Sequence, residues 1–348
     1  MSAPPTSRIR LSDPAELVAA IPHLLGFHPR QSLVLLALHG KRLGLTLRAD
    51  LVDATQAPLL ADQMLAPLAR QEPTGVVLVV IGGEYQADHG PPHRDLVDVF
   101  DETLAAAHVP LVHAIWTAAT AAGAPWRCYD DPACAGTLAD PAATPLAAAA
   151  VAAGVVTFGA REDLVALLAD RDPDALSRRS ALLQAADGEH PLSARLVARR
   201  LALLERLHRQ AGSGDVVLDD HSVAEVASAL CDHRVRDACL PWCTGPDAVA
   251  AERLWLALVR ATPAPERAEP AALLALVVYL RGDGALAGVA LDAAQEACPQ
   301  HSLSALLRAA LDGGLPPDVL RTVAIDAAEA LRPSRPKPRR SRRRRRGR

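Results

Sequence analysis

Two histidines flank a glycine turn near the start of the chain, in a run that ends at Ser32. His23 and His28 lie on either side of Gly26, and Arg30 follows closely. Imidazoles in such a setting suit anion binding, or acid and base chemistry near neutral pH. The structural alternative is that the glycine only shapes the connection and that His23 caps a helix end. Because loops on rigid scaffolds often carry sites, the run is a candidate ligand loop.

A second pair of charged residues, Arg48 and Asp50, lies two residues apart on a predicted strand. Residues at that spacing point to the same face of a strand, here opposite the leucines. A charged pair of this kind usually lies on a solvent-exposed face of the strand. If a helix covers that face instead, the pair becomes a buried polar feature and a site candidate.

The loop Gly82-Gly83-Glu84-Tyr85 follows a buried apolar run, and His93 comes shortly after it. Open α/β sheets bind ligands at the carboxyl ends of their strands, so Glu84 and His93 are further candidates for a ligand crevice. The loop lacks the third glycine of a dinucleotide fingerprint and does not match a phosphate-binding P-loop. The alternative is a long mobile loop.

Six cysteines are present, and we expect reduced thiols, because the polar, arginine-bearing residues 1–11 contain no apolar signal core and indicate a cytoplasmic protein. Cys128 and Cys134 are weak candidates for zinc, since a structural site needs four ligands and His113 is the one arguable addition. Cys231 and Cys239 are predicted to share a helix as part of a core stripe. The sequence therefore predicts no cofactor, with zinc as the minor alternative.

The end of the chain is strongly basic, since residues 332–348 hold 11 of the 37 basic residues and no acid. The rest of the chain, the body, therefore has a net charge of about -14. Such a segment cannot bury a core and is predicted to be disordered. It has no aromatic residue, so contact with nucleic acid or another polyanion would be electrostatic. The alternative is that the basic segment is a tolerated extension of the chain with no binding role. The candidate contact residues are Arg339, Arg340, Arg342, Arg343, Arg344, Arg345 and Arg346.

Hydrophobic patterning predicts an α/β domain over residues 1–170, an all-α domain over residues 171–331 and the tail over residues 332–348. In the first domain, a helix opens at Pro14 and runs to about Ile21, a hairpin of two strands follows, and a crossover helix joins two parallel strands, which gives a mixed sheet. The uncharged stretch from Pro141 to Ala160 is rich in alanine, glycine and proline, and does not predict a membrane span.

Small residues recur on two successive helical segments of the second domain, at Ala275, Ala287 and Ala294, around a Gly-Asp-Gly turn. This spacing resembles one tetratricopeptide-type repeat, in which small residues let two antiparallel helices pack closely. Generic helical hairpins show the same pattern, so both interpretations stay open.

The segment Ile21-Pro22-His23-Leu24-Leu25-Gly26-Phe27-His28-Pro29-Arg30-Gln31-Ser32, together with Leu45-Thr46-Leu47-Arg48-Ala49-Asp50, resembles the actinobacterial family catalogued as domain of unknown function 4192. Arg161-Glu162-Asp163-Leu164, Arg234-Val235-Arg236-Asp237 and Gly282-Asp283-Gly284 also resemble it. The resemblance spans nearly the whole folded body and implies no established activity.

Three functional hypotheses follow. The leading one is a non-enzymatic binding or scaffolding protein with a protein partner on its helical surface, since no catalytic motif appears. The alternative is an enzyme or small-ligand sensor at the carboxyl edge of the sheet, using His28, Arg30, Glu84 and His93. The third is a nucleic-acid-associated protein acting through its tail. A membrane is not an expected partner.

Overall fold

The apolar runs of the first domain form a mixed six-stranded sheet in the computed structural model, which describes residues 13–152, 155–170, 172–186, 193–214 and 216–330. The strand order is β2-β1-β3-β4-β5-β6. The strands are β1 (Ser32–His39), β2 (Arg42–Asp50), β3 (Gly75–Ile81), β4 (Leu111–Thr117), β5 (Pro125–Cys128) and β6 (Ala135–Thr137). Strands β3 and β4 are parallel and all other neighbours are antiparallel, so the predicted mixed sheet is confirmed.

Helices cover both faces of this sheet. The helices of this part are α1 (Pro14–Leu25), α2 (Ala57–Ala69), α3 (Arg94–Ala106), α4 (Pro145–Ala152) and α5 (Arg161–Leu167), with a short 3-10 helix at Pro141–Ala143. Helices α2 and α3 pack against Leu33, Leu35 and their neighbours on one face, whereas α1 packs with Val34 and Leu36 on the other. Coverage on both sides explains why β1 and β3 are nearly continuous apolar runs.

The crossover helix α3 joins the parallel strands β3 and β4, as predicted. The hairpin between β1 and β2 turns through Gly40 and Lys41. The short strands β5 and β6 were not predicted, because runs of four and three residues carry too little periodicity to be recognised.

The rest of the described chain is helical, which confirms the α/β-then-helical class. Its helices are α6 (Pro173–Ala186), α7 (Ala194–Ser213), α8 (Asp220–Leu230), α9 (His233–Ala238), α10 (Leu240–Thr244), α11 (Ala248–Ala261), α12 (Ala268–Arg281), α13 (Gly284–Ala297), α14 (Ser302–Asp312) and α15 (Pro317–Ala330). Every residue from 268 to 280 is buried, so α12 is the central helix of this part.

The predicted hairpin is formed by α12 and α13. Gly282 ends α12 in the left-handed region at φ 96°, and the side chain of Asp283 accepts a hydrogen bond from Leu286 N at 2.9 Å to cap α13. A close antiparallel pair is therefore present. Its relation to a tetratricopeptide repeat stays a prediction.

The helical part packs against the sheet part through one continuous set of buried side chains, which runs from Val34 and Val77 to the helices around Leu274. Two arginines add polar contacts at the end of α5. Arg267 donates to the carbonyl of Leu168 at 2.6 Å, and Arg260 donates to the carbonyl of Leu167 at 2.5 Å. The boundary that we propose near residue 170 falls between α5 and α6.

The predicted helix through Cys231 and Cys239 is wrong. The chain turns at Asp232, whose side chain accepts a hydrogen bond from Arg234 N at 2.9 Å and begins α9. Cys231 consequently ends the preceding helix and is exposed, whereas Cys239 and Cys243 are buried.

Candidate functional site

The strand directions bring distant loops together at one edge of the sheet. Because β1 runs antiparallel to β3, its first residue lies at the edge where β3 and β4 end. Ser32 pairs with Ile81, and Ile81 pairs with Thr117. The loop before β1 therefore meets the loop after β4 at the carboxyl edge of the parallel pair, which is the usual location for ligand sites in such sheets.

A cavity of about 610 Å³ opens beside this edge. Two imidazoles, two threonines and one carboxylate contribute its polar groups, and alanine, valine and proline form the rest of the wall. The lining residues are His23, His28, Thr120, Ala121, Ala122, Asp140, Pro141, Ala142, Ala147, Ala150, Val151, Val155, Val156 and Thr157. A concave, mostly apolar wall with a few polar groups is typical of small-molecule sites.

His28 is held through one ring nitrogen. Its Nδ1 lies 2.9 Å from the carbonyl oxygen of Thr120 and 3.1 Å from the hydroxyl oxygen of the same residue. A carbonyl oxygen can only accept, so Nδ1 carries the hydrogen and donates it. In the neutral imidazole, Nε2 is then an acceptor, and among the described residues it has no hydrogen-bond partner.

His23 has both ring nitrogens bound to the protein. Nε2 donates to the carbonyl of Pro141 at 2.9 Å, and Nδ1 lies 2.9 Å from the hydroxyl oxygen of Thr157. In the neutral form, Nδ1 accepts the hydrogen of that hydroxyl. His23 therefore joins α1 to two segments of the cavity wall, a structural role that differs from the expected cap of a helix end.

His23 lies in the last turn of α1 rather than in a loop, because the helix continues to Leu25, beyond its predicted end near Ile21. Gly26 ends the helix with φ 77°, a left-handed conformation that favours glycine. The backbone then pairs with the segment around Phe158: Phe158 N donates to Gly26 O at 2.8 Å, and His28 N donates to Phe158 O at 3.0 Å. Gly26 thereby brings the two halves of the cavity wall together.

Three polar residues of the cavity were missed by sequence reasoning: Thr120, Asp140 and Thr157. Asp140 is exposed at the cavity and caps the 3-10 helix by accepting from Ala142 N at 2.9 Å. The available signal was the uncharged stretch from Pro141 to Ala160, which supplies α4 and most of the apolar wall. Its small side chains leave space beside the sheet.

Ser32, Arg48 and Asp50 form a separate polar group beside the cavity. Arg48 donates from Nε to Ser32 Oγ at 2.9 Å and pairs with Asp50 at 2.5 Å, and its guanidinium lies 5.9 Å from the centre of the Phe27 ring. Asp50 is 78% exposed, so the pair lies at a solvated edge. Arg30 is exposed, and its carbonyl accepts from Ser32 Oγ at 2.7 Å.

Glu84 and His93 lie on the connection between β3 and α3, and α3 packs on the opposite face of the sheet from α1. Glu84 is exposed, and His93 precedes α3 with φ 63°. Neither residue contributes to the cavity wall. Of the nine predicted ligand-loop residues, the structure thus brings His23 and His28 together at the cavity, with Gly26 supporting them.

Cys128 and Cys134 form a disulfide, with Cα atoms 5.4 Å apart. This pairing differs from the expectation of reduced thiols, and the weak zinc candidacy of Cys128 and Cys134 stays a prediction. Across the described ranges, no group of three or more histidine, cysteine, aspartate or glutamate side chains is placed to hold a metal ion. Next to the disulfide, burial raises the pKa of Tyr129, although the nearby Arg94 opposes this shift.

A family model described as a domain of unknown function, DUF4192, matches residues 14–318. The chain belongs to the DUF4192 family. No curated protein and no solved structure matches it.

The DUF4192 match includes every residue of the cavity and ends before the arginine-rich tail. The tail residues, Arg339, Arg340 and Arg342 to Arg346, also lie outside the described residues. None of the described helices of this DUF4192 protein has the length and apolar character required to cross a membrane.

Proposed function

We propose that the protein binds a small, largely apolar molecule in the cavity at the carboxyl edge of its sheet. The observation that carries this proposal is a space of about 610 Å³ lined in part by His28, whose ring is held by the described residues through Nδ1 alone. Its volume lies in the range of small-molecule sites. Its wall combines aliphatic side chains, which favour apolar surface, with few polar groups, which can fix the orientation of a ligand.

The arrangement supports binding rather than a reaction at this edge. The enzyme hypothesis required His28, Arg30, Glu84 and His93 to act on one ligand, and of these four only His28 lines the cavity. A general base needs to lie within hydrogen-bond reach of the proton that it removes. His28 meets that condition for a molecule in the cavity, whereas Glu84 and His93 belong to the connection into α3.

A pair of substitutions on one helix tests the proposal. Ala150 lines the cavity, whereas Ala148 lies on the same helix, is exposed and does not line it. Ala150→Phe should fill space in the cavity, and Ala148→Phe should leave the cavity open. A library of small apolar compounds would be screened against each protein by thermal shift and ligand-observed NMR.

Compounds that bind the natural protein should bind the Ala148→Phe variant with equal affinity. Their affinity for the Ala150→Phe variant should be at least about tenfold lower, since each lost methylene contact costs about 0.8 kcal/mol. Equal binding to both variants would show that the compounds occupy another place. The absence of any binder would refute the proposal.

A second candidate function is protein binding through the helical part, as the sequence first suggested. Val319 and Val323 lie one turn apart on α15 and are 46% and 56% exposed, and Leu306 on α14 is 70% exposed. Exposed apolar side chains that recur on one helix face favour a contact surface. The test is comparative affinity capture with the natural protein and with Val319→Ser/Val323→Ser: partners lost by the variant support this function, and identical sets count against it.

A further inference from the structure

Two of the side chains that line the cavity offer hydrogen-bond acceptors, His28 and Thr157. His28 donates through Nδ1 to the carbonyl of Thr120, and this contact leaves Nε2 as an acceptor in the neutral ring. His28 lines the cavity and is only half-buried, and Nε2 is the ring nitrogen that its contacts with Thr120 leave available. A molecule in the cavity can therefore donate a hydrogen bond to it.

Thr157 supplies a second acceptor. Its hydroxyl hydrogen is directed to His23 Nδ1, because His23 Nε2 already donates to the carbonyl of Pro141. The oxygen of Thr157 keeps a lone pair for another donor. The two histidines therefore have different roles: His23 fixes the direction of the Thr157 hydroxyl, and His28 offers its own nitrogen.

The charged side chains at the cavity also favour a ligand that donates hydrogen bonds over an anion. Within its described lining there is one carboxylate, Asp140, and no lysine or arginine. A carboxylate or phosphate entering this site would lose water and meet no lysine or arginine, which is unfavourable in an apolar setting. A neutral or cationic group that donates hydrogen bonds would meet two acceptors and a nearby negative charge.

Resting on the proposed function, we infer that the ligand is an aliphatic alcohol or amine whose donor group binds His28 Nε2 and whose apolar body lies against the alanine and valine wall. The class excludes carboxylates and phosphate esters as preferred ligands. An amine has a further N–H that Thr157 Oγ can accept, and Asp140 at the same cavity favours an ammonium over an anion.

Three probes that share one apolar body test this class: cyclohexylmethanol, cyclohexylmethylamine and cyclohexanecarboxylate. Each would be titrated into the full chain and followed by ligand-observed NMR. The alcohol and the amine should bind at least about tenfold more tightly than the carboxylate, which corresponds to about one hydrogen bond with its partner.

The variant His28→Asn tests the contribution of His28 Nε2 separately from that of Nδ1. The asparagine amide can still donate to the carbonyl of Thr120, as Nδ1 does, but it does not reach the position of Nε2. This variant should fold and should reduce the preference for the alcohol and amine to about threefold or less. The control is Glu84→Gln, which changes an exposed residue outside the cavity and should keep the preference of the natural protein.

The possible failures are distinguishable. Preferential binding of the carboxylate would overturn the ligand class and leave the cavity as the binding site. An unchanged preference in His28→Asn would overturn the role of His28. Failure of all three probes to bind would overturn the ligand class. If the compound screen also found no binder for the natural protein, the proposed function would fail as well.

Discussion

His23 and Thr157 are 134 residues apart in sequence, and their side chains meet at 2.9 Å. The same imidazole donates to the carbonyl of Pro141, so a single side chain on α1 binds two segments of the opposite cavity wall. The wall is thereby fixed to the helix that precedes the sheet.

Replacing His23 should destabilise the protein. His23→Ala leaves the Thr157 hydroxyl without its partner and removes one of the donors to the Pro141 carbonyl, which keeps the hydrogen bond from Thr144 Oγ. The expected cost is about 1 to 3 kcal/mol in the free energy of unfolding. Urea denaturation measures this difference. His89→Ala, a change of an exposed histidine, is the control and should cost less than about 0.5 kcal/mol. Equal stability of the two variants would contradict the role given to His23.

Alkaline pH should weaken the fold through Tyr279. Burial, with a smaller contribution from Asp312, raises the pKa of Tyr279 to about 12, and its hydroxyl donates to the carbonyls of Ala310 and Leu315 at 3.0 and 2.7 Å. An unfolded tyrosine loses its proton near pH 10. The stabilisation is therefore fully present below about pH 10 and is lost as pH rises from there to about 12.

Urea denaturation at a series of pH values measures this loss. Tyr279→Phe should lower stability at neutral pH by about 1 kcal/mol and should reduce the alkaline loss, because the titrating hydroxyl is gone. Tyr85→Phe changes an exposed ring and serves as the control. An alkaline loss of the same size in Tyr279→Phe and in the natural protein would exclude Tyr279 as its source.

The thiols should differ sharply in reactivity. Burial raises the pKa of Cys243 to about 12 and that of Cys239 well above its ordinary value, so both remain protonated near neutral pH. The thiolate is the nucleophile, and Cys231 is exposed. A disulfide reagent at pH 8 should therefore label Cys231 rapidly, and it should label Cys239 and Cys243 only after unfolding.

Mass spectrometry of the labelled peptides identifies the sites. The variant Cys231→Ser should lose the rapid labelling of that peptide and keep the slow labelling of the other two. Rapid labelling of Cys243 in the folded protein would contradict its burial between the helices.

The basic tail carries a separate prediction, which concerns residues outside the described part of the chain. We propose that it binds polyanions, because residues 332–348 combine 11 positive charges with no acid. Binding to duplex DNA should weaken steeply and linearly with salt on logarithmic axes. Deletion of residues 333–348 should abolish binding at low salt, as measured by fluorescence anisotropy, and unchanged binding would refute the proposal.

Local signals in the sequence predicted much of the fold. Pro14 indicated the start of α1, and the apolar runs indicated the strands that build the sheet. The end of α1 was predicted too early at Ile21. Pro22 usually disfavours a helix interior, but here it is buried within α1 and the helix continues until Gly26 adopts its left-handed conformation.

The candidate site was predictable only in part. The two histidines were recognised from their own segment, whereas Thr120 and Thr157 are brought to them by tertiary packing and have no local signal of a role. Glu84 and His93 were placed correctly after a strand, but periodicity does not indicate which face of a sheet the following loop approaches. That choice depends on the packing of α3 against the opposite face.

The alanine-rich composition of α4 has a consequence for how the protein can diversify. Ala147 and Ala150 contribute only a methyl group each to the cavity wall, and both lie on a helix in which alanine is the most favourable residue. Exchanging Ala150 for a slightly larger aliphatic residue would shorten the longest molecule that fits, while the contacts of His23 and His28 with the backbone stay intact. In the proposed site, ligand size and head-group recognition would therefore depend on different residues, so each could evolve without the other.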